Sequence, residues 1–215
     1  MKKPSFLYRN SLSIVFLSFM LMTLAGQYWF GYVELNKSLE EKGWGPVSLS
    51  GYFFTGHFIQ STFENWESEF FQMGLYVALT VFLRQKGSAE SKSLEGKEEV
   101  DKTPVPSPDA PWPVRKGGIY LAVYQYSLSI AFFILFWISF LLHAYGTWLD
   151  LKSEESNSMK FYEVFLNNRL WYESFQNWQS EFLSVASIVI LSIYLRQKGS
   201  PESKPVDAPH SQTGK

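Results

Sequence analysis

Two related hexapeptides, NWESEF at 65–70 and NWQSEF at 177–182, carry the side chains best suited to chemistry. On a helix, Asn65 and Glu69 are one turn apart and share a face, and Asn177 and Glu181 repeat the arrangement. Trp66 and Trp178 lie on a neighbouring aromatic face, and Trp favours the membrane–water interface. A carboxylate at the entrance to an apolar run is costly unless it is paired or wet. Two roles fit such a residue: a path for an ion, proton or ligand, or a polar lock in which Asn and Glu satisfy each other and hold helices together. The shared Asn–Glu face predicts that Glu69 and Glu181 point into the interior of a helical bundle, at equal depth.

A second element, LRQKGS, occurs unchanged at 83–88 and 195–200. Arg and Lys near a helix C-terminus complement its dipole, and Gly supplies a left-handed cap. The same cations, Arg84, Lys86, Arg196 and Lys198, suit the headgroups of anionic lipids. Histidine is sparse: His57, His143 and His210 are scattered, with no H-x-x-H, H-E-x-x-H or acidic cluster at metal spacing. There is no cysteine, which excludes disulfides and thiolate metal sites. No phosphate loop, dinucleotide fingerprint or nucleophile elbow is present. The sequence therefore predicts no catalytic residue, no cofactor and no metal centre.

The elements that must position these residues are apolar runs. Asn10 to Val33 and Ile119 to Leu142 are each uncharged for 24 residues, enough at ~1.5 Å per residue to cross a ~30 Å hydrocarbon core. Phe70–Leu83 and Phe182–Leu195 are shorter, but starting the helix at Phe63 and Phe175 brings each to spanning length. The two halves repeat one another: LYRNSLSIVF at 7–16 aligns with VYQYSLSIAF at 123–132, and residues 63–92 share 17 of 30 positions with 175–204. Because the third run lies mid-chain, its likeness to the first argues against reading the N-terminal run as a cleaved signal.

The expected fold is therefore all-α: four transmembrane helices arranged as two tandem, parallel-oriented helical hairpins. The first hairpin repeat occupies 1–92, with helices over 10–33 and 63–84. A Pro-rich charged cytoplasmic linker follows at 93–117. The second hairpin repeat occupies 118–204, with helices over 119–143 and 175–196, and a disordered cytoplasmic tail covers 205–215. Of the 19 Lys and Arg residues, 14 fall at the two ends and in the centre and 5 in the two intervening loops. That bias places both termini in the cytoplasm. A two-helix repeat returns to its starting side, which excludes an inverted-repeat transporter. The aromatic loops before the second and fourth runs read as interfacial helices or as a compact outer cap. A formal net charge of −1 gives no case for nucleic-acid binding.

At NWxSEF and LRQKGSxESK the chain resembles a bacterial family of small membrane proteins defined as a domain of unknown function. The second copy fits that pattern closely, with NWQSEF at 177–182 and LRQKGSPESKPV at 195–206, whereas the first has Glu67 for Gln and Ala89 for Pro. The resemblance implies the bacterial plasma membrane and supplies no activity. On these grounds a non-enzymatic structural or interaction protein of the envelope is expected, with membrane lipids and a homo-oligomer or membrane-protein partner around it. The alternatives are a small oligomeric channel or carrier using Glu69 and Glu181, and an enzyme acting on lipid or quinone.

Overall fold

Serine chemistry and apolar length set where the helices run. The computed structural model describes residues 5–155 and 159–214; among them the regular structure is helical, with no strand. Four long helices dominate: α1 (Ser11–Glu41), α2 (Gly56–Thr80), α3 (Ser127–Glu155) and α4 (Asn168–Tyr194). Short helices at Phe6–Arg9 and Gly118–Gln125 lead into α1 and α3. The chain breaks between lead-in and helix at Asn10 (φ −119°) and Tyr126 (φ −114°). At both breaks the next serine bonds back to a carbonyl of the preceding turn: Ser11 Oγ donates to Tyr8 O at 3.1 Å, and Ser127 Oγ to Tyr124 O at 2.8 Å. Such back-bonding competes with the helix ladder and bends it.

The helices outrun the apolar segments that announce them. Helix α1 continues through polar residues to Glu41, where Gly43 (φ 71°) closes it with Gly43 N donating to Glu40 O and Trp44 N to Leu39 O. Helices α2 and α4 each begin seven residues before the expected 63 and 175, because HFIQST and NRLWYE extend the helical pattern upstream. Among the described residues two helices are long and apolar enough to cross a membrane, α1 and the Ser127–Ser153 part of α3. Helices α2 and α4 are less apolar because their first fourteen residues carry Glu64, Glu67 and Glu69, and Arg169, Glu173 and Glu181.

The chain divides into two compact units, Met1–Thr62 with Ala144–Val164, and Phe63–His143 with Phe165–Lys215. In the first, Tyr52 is fully buried. Its ring sits 5.3 Å from Tyr28 and 5.5 Å from Phe58, and its hydroxyl lies 2.9 Å from His57 Nδ1. The loop after α1 thus folds into an aromatic core rather than lying free. Helices α2 and α3 meet in this unit through glycines: a Cβ on Gly146 would fall 2.3 Å from Gln60 N, and one on Gly56 would fall 2.5 Å from Asp150 N. Gln27 Nε2 donates to Ser61 Oγ and Thr62 Oγ1, each at 3.2 Å.

In the second unit, Phe71 stacks on Phe136 at 4.9 Å and meets Trp178 at 4.7 Å. The two LRQKGS stretches close in the same way. Gly87 and Gly199 adopt φ 84° and 85°, Gln85 N donates to Ser91 Oγ, and Gln197 N donates to Ser203 Oγ. The expected flexible linker contains a turn at Glu99–Asp101 and a short helix at Trp112–Lys116. The expected disordered tail is instead tied down. Lys204, 1% exposed, donates to the carbonyls of Gly87, Pro209, His210 and Gln212, and Gly214 N donates to Ser88 O. The polar composition hid this because the segment is held by hydrogen bonds rather than by apolar burial.

Candidate functional site

In the second unit three helices bring ionisable side chains together around one histidine. Helix α2 supplies Glu64 and Glu67, one turn apart; α3 supplies His143; α4 supplies Arg169, Glu173 and Ser174. His143, Glu67 and Ser174 are fully buried. His143 Nδ1 lies 3.1 Å from Glu67 Oε2. Its Nε2 lies 3.1 Å from Glu173 Oε2 and 3.9 Å from Glu64 Oε2. Ser174 Oγ donates to Glu67 Oε1 at 2.7 Å, and Arg169 Nε donates to Glu173 Oε1 at 2.9 Å.

A neutral imidazole has one N–H and one lone pair. With carboxylates on both sides, one nitrogen meets an acceptor with an acceptor unless the ring is protonated or a cation lies between. The site can therefore hold a proton on the imidazole or a metal ion at its Nε2 side. The carboxylates differ in setting. Glu67 is sealed from water and fixed by Ser174, whereas the Glu64 and Glu173 side chains keep 20% and 15% of their surface exposed.

The residues singled out by sequence are distributed differently. Glu69 is exposed and Glu181 half-buried, so the interior-facing expectation fails for Glu69. The helix itself explains this: at ~100° per residue, positions two apart point in nearly opposite directions. With Glu67 turned inward, Glu69 must turn out. Asn65 is exposed and Asn177 half-buried. Trp66 meets Phe63 edge-on at 5.2 Å, and Trp178 packs among Phe71, Phe136 and Phe175.

Among the cationic residues, Arg84 Nη1 donates to the carbonyls of Thr80, Val81 and Leu83, and Arg196 Nη1 to those of Ser192, Ile193 and Leu195. Both arginines thus cap the helix C-terminal end. Lys86 and Lys198 are exposed.

The sequence reading missed Glu64 and Glu173, set His143 aside as one of three scattered histidines, and noted Glu67 only as a departure from a pattern. A signal was present: where the first copy has Glu64 and Glu67 the second has Gln176 and Gln179, and where the second has His143 and Glu173 the first has Gln27 and Ser61. The Gln27–Ser61 contact in one unit and the His143–Glu173 contact in the other use aligned positions, neutral in one copy and ionisable in the other. A family model described as Domain of unknown function (DUF6766) matches residues 3–215. No curated protein matches the chain, and no solved structure does.

Proposed function

The chain belongs to that family, DUF6766, and on this premise we propose that it is a four-span integral membrane protein of the bacterial envelope that works by assembly and interaction rather than by catalysis. One observation carries the reading. Helix α1 is apolar around its whole circumference over the uncharged stretch, and none of its residues is buried. A helix apolar on every side belongs inside protein or inside lipid, and over residues 11–23 every residue of this one but Ile14 is exposed. Leu12, Phe16, Leu21 and Met22 are all at least 60% exposed, as lipid contact requires.

Helices α2 and α4 complete the four spans in this reading. At 25 and 27 residues they reach ~38–40 Å, with their charges gathered in the first fourteen residues and an apolar remainder leading to LRQKGS. The repeated sequence supports two hairpins running in the same sense, and the Lys and Arg bias supports cytoplasmic termini. Membrane lipids are the immediate partners. A cavity of about 230 Å³ lined by Leu75, Leu79, Phe182, Val185, Val189 and Arg84 suits an acyl chain beside a cation.

Extraction and cross-linking of native membranes test this. The protein should stay in the pellet through alkaline carbonate, leave only with detergent, and cross-link to a second copy or one fixed membrane partner. Release by carbonate alone would contradict it.

A second reading, a small oligomeric channel or carrier, draws on the recurrence of a carboxylate at the same place in the two related hexapeptides, Glu69 and Glu181, each of which would attract a passing cation. Cation flux in proteoliposomes that disappears in the Glu69→Gln, Glu181→Gln double variant would favour it over assembly alone.

A further inference from the structure

We propose that Glu64, His143 and Glu173 form a binding site for one divalent transition-metal ion, pinning α2, α3 and α4 together, with Glu67 orienting the imidazole. Three features of the cluster support this, none of which depends on the membrane topology.

The first is spacing. One ligand atom from each of the three residues lies within 4.8 Å of the others, and the two measured pairs are 3.1 and 3.9 Å apart. Two ligands at ~2.1 Å from a tetrahedral metal are separated by ~3.4 Å. The atoms therefore already surround a volume of the right size, and small rotations of Glu64 and Glu173 would close it.

The second is orientation. A metal-ligating imidazole donates its other N–H to a carboxylate, which fixes the tautomer and the ring plane. Glu67 occupies that position at Nδ1, fully buried, with its second oxygen held by Ser174. Arg169 does the same for Glu173, binding Oε1 and leaving Oε2 toward the imidazole. The ligand atoms are thus supported from behind.

The third is charge. Three carboxylates less the one charge of Arg169 leave two negative charges around a neutral imidazole. One divalent ion balances them and removes the acceptor-to-acceptor contact at Nε2. A set of one imidazole nitrogen and two carboxylates, without thiolate, suits Zn²⁺ or Mn²⁺ better than Cu⁺, and the nitrogen argues against Ca²⁺ and Mg²⁺. A fourth position remains for water.

The test uses full-length protein in detergent, purified with an affinity tag free of histidine, stripped with chelator and titrated with Zn²⁺, Mn²⁺ and Mg²⁺. The expected result is one tightly bound Zn²⁺ or Mn²⁺ per chain by calorimetry and elemental analysis, with a raised melting temperature and no response to Mg²⁺. Co²⁺ substitution should give a visible spectrum of nitrogen and oxygen ligation. Glu64→Gln, which alters a partly exposed side chain and should leave the helical circular dichroism intact, should abolish stoichiometric binding, as should His143→Gln. Glu67→Gln should weaken binding about 10- to 100-fold while keeping one ion per chain. Glu69→Gln should change nothing. Folded protein that binds no ion, or binding that survives in both Glu64→Gln and His143→Gln, would overturn the proposal.

Discussion

Replacing Gly146 with alanine should open the crossing between α2 and α3. The added Cβ would stand 2.3 Å from Gln60 N, 2.7 Å from its Cα and 2.9 Å from its Cβ, where ordinary contact begins near 3.4 Å. The shortfall, 3.4 minus 2.3, is 1.1 Å. The obstructing atoms are mostly backbone, so no side-chain rotation relieves them and the helices must move apart. Small residues are what allow such close helix approach in membranes, and overpacking costs about 1–3 kcal/mol. Because two backbone atoms are struck at once, the upper part of that range, about 2–3 kcal/mol, applies. For a chain of this length, the melting temperature should then fall about 4–12 °C. Gly56→Ala should behave alike, since its Cβ meets Asp150 N at 2.5 Å and Gly146 O at 2.6 Å. Gly26→Ala is the control: nothing lies within 4 Å of its Cβ, and alanine's helix propensity should hold or slightly raise stability. Thermal melts of the three variants in one detergent provide the assay. If Gly146→Ala melts with Gly26→Ala, at or above wild type, the close crossing does not exist.

The other predictions concern hydrogen bonds. Ser174→Ala removes the hydroxyl that donates to the buried Glu67 carboxylate; a bond to a charged group contributes about 1.5–3 kcal/mol, so the melt should drop, whereas Ser180→Ala, on an exposed position bonded to its own helix, should stay within about 0.5 kcal/mol. Equal melts for the two would remove the Glu67–Ser174 contact from the account. In the linker, Lys92 Nζ donates to Asp101 Oδ1 at 2.6 Å and Glu98 N to Oδ2 at 3.2 Å, and these bonds hold the Asp101 carboxyl below its ordinary 3.8. A depressed carboxyl contributes order above about pH 3.8 and loses it as pH falls through its folded value. Hydrogen exchange over 93–102, corrected for intrinsic rates, should therefore speed up as pH is lowered through and below about 3.8, and Lys92→Gln should abolish the difference; an unchanged profile in that variant would count against the clamp.

What the residues disclosed depended on how local the cause was. Helix caps were legible in part: Arg84 bonds the last carbonyls as its type suggests, whereas Gly87, the expected left-handed cap, takes its positive φ in a turn seven residues beyond the helix end at Thr80. The two longest apolar runs were legible because each forms one long helix, and length and hydropathy are read directly from the residues. Helix ends were not: hydropathy marks where an apolar stretch stops, whereas α1 runs on to Glu41 on helix-forming polar residues. The choice of inward face on α2 was also hidden. Glu67 and Glu69 are both acidic and two apart, and only packing against α3 and α4 decides which one is buried. The His143 cluster draws on three helices, so no single stretch of sequence shows it; what showed was the mismatch between copies at Glu64, Glu67, His143 and Glu173. The tail escaped because Lys204 is satisfied by backbone carbonyls, which leave no trace in side-chain patterns.

The central claim, a four-span protein with both ends in the cytoplasm, is tested most directly by thiol accessibility, since the chain contains no cysteine. Ser93→Cys, Ser153→Cys and Ser211→Cys are made singly and treated in intact spheroplasts with a membrane-impermeant maleimide, then again after permeabilisation. The account predicts that Ser153→Cys alone reacts in intact cells and that Ser93→Cys and Ser211→Cys react only once the membrane is opened. Labelling at 93 or 211 in intact spheroplasts, or protection at 153, would contradict it.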